Sequence, residues 1–266
     1  MRALAVLGLA SLLIASGTGV ATADTPADGP TPVTWQAYQR PSLGTVVLGE
    51  SIQQVTAPGP ANGRPAGPVM RYELQPGAQY NSSGYLAPRA EVYGRAATPM
   101  STPAAQWPDP VGSVRWYSFS LFVPADFVTA TDTSWIDITQ WKGLNGGSPP
   151  IALEIKRNGL RLGGVRTNTG LIPRDGYLGP LNKGSWTTVT VGLSLSPDPK
   201  AGWVEVWRDG ALAFPRTAVA TMDTINGKPD PIYLKQGIYQ GGNWAGVTHV
   251  LYFGPVTVSS TRAGVS

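Results

Sequence analysis

Residues 114–142 read VRWYSFSLFVPADFVTATDTSWIDITQWK. Two runs rich in aromatic and β-branched residues, 114–124 and 134–142, flank a stretch punctuated by Pro124, Asp126 and Asp132. Neither run carries the 3.6-residue period of an amphipathic helix, and each is short enough to be a single strand. The pattern continues through IALEIKR (151–157), SWTTVTVGLSL (185–195), GWVEVWRDG (202–210), IYLKQGIYQ (232–240) and THVLYFGPVTVS (248–259). Many short strands with turn residues between them predict an all-β sandwich or jelly roll. Asp209-Gly210 is a hairpin signal, which places 203–207 beside 211–214 as antiparallel neighbours.

The start of the chain reads as a secretory signal. Met1-Arg2 is positive, Ala3 to Ala15 is apolar, and Ala21-Thr22-Ala23 supplies small residues for cleavage before Asp24. Residues 1–23 are therefore expected to be removed, leaving about 240 residues, enough for one large sandwich. Residues 24–32 are polar and Pro-rich, a flexible lead, and 33–262 are expected to form a single domain. The stretch 56–68, TAPGPANGRPAGP, has apolar runs on both sides and reads as a long loop inside that domain. With no cysteine, an exported chain must be held by its core, and nine tryptophans can help supply one. The net charge of +4 is a mild basic excess that suits an acidic partner. Without a dense Lys/Arg run, nucleic acid is not an expected partner. No later stretch is long and apolar enough to span a bilayer, so a secreted monomer free of the membrane is expected.

Side chains of equal parity share a face of a strand. Arg89 and Glu91 in PRAEV are such a pair, as are Gln140 and Lys142 in ITQWK, grouped by the same count with Ile136 and Ile138. Tyr233, Lys235 and Tyr239 in YLKQGIYQG form a third set, with Gly237 between the last two. Three separate strands thus carry the makings of one wet face of Arg, Gln, Lys and Tyr. The plainer reading of the same residues is a cross-strand ion pair, solvated lysines and a half-buried tyrosine.

The ordered set PRAEV (88–92), ITQWK (138–142) and YLKQGIYQG (233–241) resembles the three signatures of jelly-roll polysaccharide lyases. Alginate lyases of the family-7 type carry R-x-E-[LV], Q-x-H and Y-F-K-x-G-x-Y strands in that order. RYEL (71–74), WYSFSLFVP (116–124) and GWVEVWRDG (202–210) look most like the heparin-lyase-I-like group, which shares its fold with glucuronan lyases. The resemblance implies a concanavalin-like jelly-roll β-sandwich with a concave substrate-binding sheet. It also implies β-elimination: a base removes the C5 proton of a uronic acid and the 4-O-glycosidic bond breaks. Such a site must neutralise a carboxylate while more negative charge develops on it. By resemblance, Arg89 and Gln140 are the neutralising pair, and Tyr239 is the catalytic tyrosine. Arg offers a donor fork for a carboxylate, and an amide can donate to it. Lys142 stands where the family has histidine, as a base of lowered pKa or as a carboxylate ligand. The expected substrate-binding residues are Lys235, Glu91, Tyr233, Arg71 and Trp244.

His249 is the lone histidine and is expected to be structural. Among Trp135, Trp141, Trp203, Trp207 and Trp244, core burial is the commoner outcome. Trp244, in the Gly-rich GGNWAG segment, is the best candidate for stacking on a sugar. One histidine and no cysteine exclude a transition-metal cluster. No cofactor is expected; the resemblance allows a structural calcium whose ligands the sequence does not place. Two rivals remain open: a non-catalytic binder of acidic sugar chains on the same face, and a glycoside hydrolase. The hydrolase needs two flanking carboxylates, and Asp137 and Glu205 are each single on their strands.

Overall fold

The computed structural model describes residues 31–37, 52–76, 80–82, 85–87, 89–96, 109, 111–129, 134–145, 147–164, 176–241, 244 and 246–266. The signal expected at 1–23 and the lead up to residue 30 lie outside them. Thr31 and Pro32, counted with that lead, already belong to the strand Thr31–Ala37. No helix among the described residues is long and apolar enough to cross a membrane.

The chain forms a jelly-roll sandwich of two antiparallel sheets. The first runs, in spatial order, Tyr177–Pro180, Gly159–Gly163, Ile151–Lys156, Trp135–Gly143, Ile232–Gly241, Arg89–Ala96 and Thr31–Ala37. The second runs Thr257–Ser259, Val114–Phe122, Trp186–Ser194, Trp203–Arg208 and Ala211–Ala218. His249–Phe253, Pro68–Leu74 and Ile52–Thr56 extend it to one side. Thr31–Ala37 joins the layers: Thr31 and Pro32 pair with Val258 and Thr257, while Val33 to Ala37 pair with Ala96 to Val92. The predicted runs become strands with ends moved by a residue or two, and 248–259 splits into two strands around Gly254-Pro255. Asp209 (φ 50°) and Gly210 (φ 78°) make the predicted hairpin turn between paired Arg208 and Ala211. The stretch 56–68 is the loop of another hairpin, closed by Thr56 opposite Pro68.

Alternation along the second sheet sends Val189, Val191, Leu193, Val204 and Val206 inward, where all are fully buried. They meet Ile136, Ile138, Trp141, Leu153, Ile155, Leu234 and Ile238 from the first sheet. Each such aliphatic side chain contributes about 1.5–3 kcal/mol on burial, and this core replaces the missing disulfides. Tyr117 and Trp141 meet edge to face across the gap at 5.4 Å. With Val204 and Val206 inside, Trp203 and Trp207 must face outward, contrary to the core expectation. There Arg216 stacks on Trp203 at 3.9 Å and Arg262 on Trp207 at 3.7 Å.

Two irregularities shape the outer face of the first sheet. Against Ile151–Lys156, the register of Trp135–Gly143 shifts by one residue between Asp137 and Thr139. Ile138 and Trp141, three apart, can therefore both point into the core, and Asp137 and Gln140 both point out. Simple parity, which grouped Ile136 and Ile138 with Gln140, fails at this bulge. The second irregularity is at Gly237 (φ 142°), opposite Glu91, where a Cβ would lie 2.1 Å from the Ala90 carbonyl oxygen. Only glycine fits this approach of backbone to backbone. Gly237→Ala should destabilise the fold by about 1–3 kcal/mol, read from the denaturant midpoint. An unchanged midpoint would contradict that account.

Candidate active site

Three adjacent strands bring the singled-out residues together, with Ile232–Gly241 in the middle. On one side Tyr239 pairs with Arg89 and Gly237 with Glu91. On the other, Tyr233 pairs with Lys142, Lys235 with Gln140, and Tyr239 with Asp137. Directly opposite residues share a face, so Arg89, Glu91, Gln140, Lys142, Lys235 and Tyr239 lie on the same surface.

Glu91 organises this cluster. Its Oε1 accepts from Gln140 Nε2 at 2.9 Å, and its Oε2 accepts from Lys235 Nζ at 2.5 Å. Arg89 Nη1 lies 3.4 Å from the same Oε2. Glu91, Gln140 and Lys235 are only 3%, 2% and 2% exposed, so a carboxylate at this depth requires these donors. Arg89 and Tyr239 are half-buried and form the part of the cluster that meets solvent. The Arg89 guanidinium stacks over the Tyr239 ring at 4.1 Å, and Lys235 Nζ lies 5.7 Å from the ring centre. Trp135 abuts Tyr239 edge to face at 4.8 Å. Trp135 is itself seated over Gly241, where a Cβ would lie 2.4 Å from the indole.

Burial lowers the Lys235 ammonium to about 8, despite the opposing pull of Glu91. Asp137 is pushed well above the usual carboxylate range by burial, then by Glu154 and Glu91, against Lys235 and Arg89. The surface thus combines the buried Glu91 carboxylate, an arginine, a lysine, a second carboxyl group of raised pKa and a phenol. Such a surface can receive a carboxylate and hold a proton beside it.

Lys142 stands at the side of the cluster. Its Nζ donates to the Gly147 carbonyl at 2.5 Å, and burial lowers its pKa while Asp230 and Asp223 raise it. Asp230 accepts from the Asn145 backbone N–H at 3.2 Å and side-chain amide at 2.6 Å. The charges of both aspartates act on the Lys142 ammonium. Among the described residues, no three His, Cys, Asp or Glu side chains stand grouped to hold a metal.

A model of the polysaccharide lyase family matches residues 34–256. The chain belongs to the polysaccharide lyase family. No curated protein sequence matches it significantly. Among solved structures it is similar to an endo-β-1,4-glucuronan lyase from the fungus Trichoderma reesei, at 17% identity and a TM-score of 0.56, covering 88% of this chain and 98% of that one. An alginate lyase of polysaccharide lyase family 7, A1-II', is 14% identical with a TM-score of 0.53, over 72% and 79% of the two chains. A glycoside hydrolase family 131 β-glucanase catalytic domain from Podospora anserina is 15% identical with a TM-score of 0.55, over 88% and 87%. At these identities the likeness is one of fold.

The remaining expected residues differ in how far they join the cluster. Arg71 is not at the cluster: Tyr72 and Leu74 take the core side of their strand, so Arg71 faces outward from the second sheet, paired with Glu73. Tyr233, opposite Lys142 and two residues before Lys235, shares the cluster's face, but it is buried and also packs against the core. Glu91, expected to touch substrate, instead has both oxygens occupied by side chains of the protein. Trp244 is half-buried, its indole N–H donating to Gly241 O at 3.0 Å and its ring edge-on to His249 at 4.7 Å. His249 has no exposure, and its ring nitrogens meet Gln240 Oε1 at 2.7 Å and Val128 O at 2.9 Å. Inside the protein the ring also packs against Phe127 at 4.9 Å. Asp137 and Trp135 join the site unannounced, because the bulge and the seat on Gly241 emerge only from the register.

Removing one partner of a buried ion pair costs about 3–5 kcal/mol, because a charge is left alone. Glu91→Gln should lose that much stability, and Glu91→Gln/Lys235→Met should recover most of it; equal losses would contradict the buried pair. The depressed Lys235 value also has a sign. Between about 8 and its unfolded value of 10.5, the unfolded chain holds more protons, so stability rises with pH in that window. Lys235→Met should lack this rise in thermal melts across the window; its persistence would assign the effect elsewhere.

Proposed function

We propose that the protein is an exported polysaccharide lyase that cleaves a uronic-acid polymer by β-elimination, with Tyr239 as the proton-transfer group. The observation that carries this reading is the stack of Arg89 on Tyr239 at 4.1 Å above the buried Glu91 cluster. Arg89 binds the uronate carboxylate and offsets the charge that grows on it as the C5 proton leaves. The C5–H electron pair becomes the C4–C5 double bond, and the bond from C4 to the glycosidic oxygen breaks. Tyr239 takes the proton as phenolate and returns it to the departing oxygen. A free phenol titrates near 10, so a phenolate needs positive charge nearby, and Arg89 and Lys235 supply it. Gln140 and Lys235 are too deeply buried to lead the contact with sugar; they set Arg89 and Tyr239 through Glu91. Lys142 serves as a ligand for a neighbouring carboxylate rather than as the base, since its ammonium donates to Gly147 O and the charges of Asp230 and Asp223 favour its protonated form. The signal-like residues 1–23 support export.

One observation favours a second reading. Asp137 and Glu154 stand directly opposite on neighbouring strands, a pair of carboxyl groups that a retaining glycoside hydrolase would need close together. The two readings differ in product. An elimination leaves an unsaturated sugar end that absorbs in the ultraviolet, and a hydrolysis does not.

Purified protein should generate that absorbance from at least one of glucuronan, alginate or a heparin-type chain. New reducing ends without absorbance would support the hydrolase, and binding without cleavage would support a non-catalytic role. Tyr239→Phe should lower kcat by about 10²–10⁴-fold with little change in affinity, a full turnover rate removing the tyrosine from the mechanism. Lys142→Ala should raise KM and leave kcat near its original value; a folded but inactive variant would instead make Lys142 the base.

A further inference from the structure

The cluster around Tyr239 is one end of a longer row. Reading straight across the first sheet, Arg89 stands opposite Tyr239, Tyr239 opposite Asp137, Asp137 opposite Glu154, Glu154 opposite Arg161, and Arg161 opposite Tyr177. Six neighbouring strands therefore each place a polar or aromatic side chain in one line on one face. At ~4.8 Å per strand the line is about 24 Å long. That strand spacing is close to the length of one pyranose unit, so a sugar chain lying across the strands meets about one strand per residue.

The far end of the row has the makings of a binding site. Tyr177 is 48% exposed, and its ring lies over Gly159, where a Cβ would come within 2.6 Å of it. The Arg161 guanidinium is 5.2 Å from the centre of that ring. Beside them a cavity of about 220 Å³ is lined by Glu154, Lys156, Arg157, Arg161, Leu162 and Gly163, three cations to one carboxylate. The Glu154 carboxyl is bent over Gly163, where a Cβ would fall 1.8 Å from it. There it lies under the influence of the Lys156 and Arg161 cations.

We propose that Arg161 and Tyr177 form a distal subsite that grips the same acidic sugar chain about three to four units from the bond being cleaved. Arg161 pairs with a carboxylate of the polymer and Tyr177 provides a flat face for a sugar ring. The proposal rests on the uronic-acid lyase reading for its ligand, and on the row and its charge for its place. A site gripped this far from the reacting bond favours long chains over short ones and directs cleavage to the interior of the polymer.

The test compares Arg161→Ala, Arg161→Lys and Tyr177→Ala with the unaltered full chain on size-defined uronic-acid oligosaccharides, a trisaccharide and a hexasaccharide. Tyr177 is exposed, so its replacement reports on binding rather than folding. The ratio of kcat/KM for hexasaccharide over trisaccharide should fall about 10-fold in Arg161→Ala and in Tyr177→Ala, the scale of one lost charge-assisted contact. It should fall less in Arg161→Lys. An unchanged ratio, or an equal loss on both substrates, would overturn the subsite. If the unaltered protein yields no unsaturated product, the lyase reading fails, and the subsite is then judged on binding alone by calorimetry with the same oligosaccharides. Weaker binding of the hexasaccharide alone in the variants upholds it, and equal affinities overturn it.

Discussion

A carboxylate with almost no exposure needs partners, and Glu91 has them: the Gln140 amide, the Lys235 ammonium and, more loosely, the Arg89 guanidinium. The three donors come from three strands, so the demands of one buried charge fix how those strands' side chains stand relative to one another. Arg89 is thereby turned over Tyr239, and Lys235 is kept beneath it. Gly237 makes the arrangement possible by letting the backbone carrying Lys235 and Tyr239 lie directly against the backbone of Ala90 and Glu91. The surface formed by Arg89 and Tyr239 is thus the exposed edge of a buried electrostatic unit. Preorganisation of this kind is how a site can meet developing charge without rearranging.

The bulge between Asp137 and Thr139 has a matching effect on the acid side of the site. Without it, Asp137 and Gln140 would face opposite ways, and either the acid or the amide would be lost to the core. With it, Asp137 lies next to Tyr239, where burial first and then Glu154 and Glu91 favour its proton against Lys235 and Arg89. A carboxyl group of raised pKa, a phenol, an arginine and a lysine then share a few strands' width. Burial has opposite consequences for the two kinds of group: it raises the carboxyl and lowers the ammonium, bringing both closer to neutrality.

Much of this could be read from the sequence because it depends on local spacing. The i, i+2 pair Arg89/Glu91 and the set Lys235, Gly237 and Tyr239 were visible as face-sharing residues, and their strands do lie side by side. Turn chemistry gave the hairpin at Asp209-Gly210. What escaped were features fixed by partners distant in the chain. A bulge within DIT (137–139) carries no glycine or proline to mark it, so parity wrongly grouped Ile136 and Ile138 with Gln140. Arg71 fits its motif but lies on the outer face of the other sheet, because Tyr72 and Leu74 claim the core. Trp203 and Trp207 have core-type composition but outward parity, and arginines cover them instead. The row ending at Arg161 and Tyr177 depends on five strand pairings and has no linear signature.

On the reading proposed above, this surface breaks a sugar chain by elimination, without consuming water. Digesting a uronic-acid polymer in water enriched in heavy oxygen, then weighing the products by mass spectrometry, tests that claim at the bond itself. Elimination predicts unsaturated products that carry no heavy oxygen. Saturated products with one heavy oxygen at each new reducing end would contradict it.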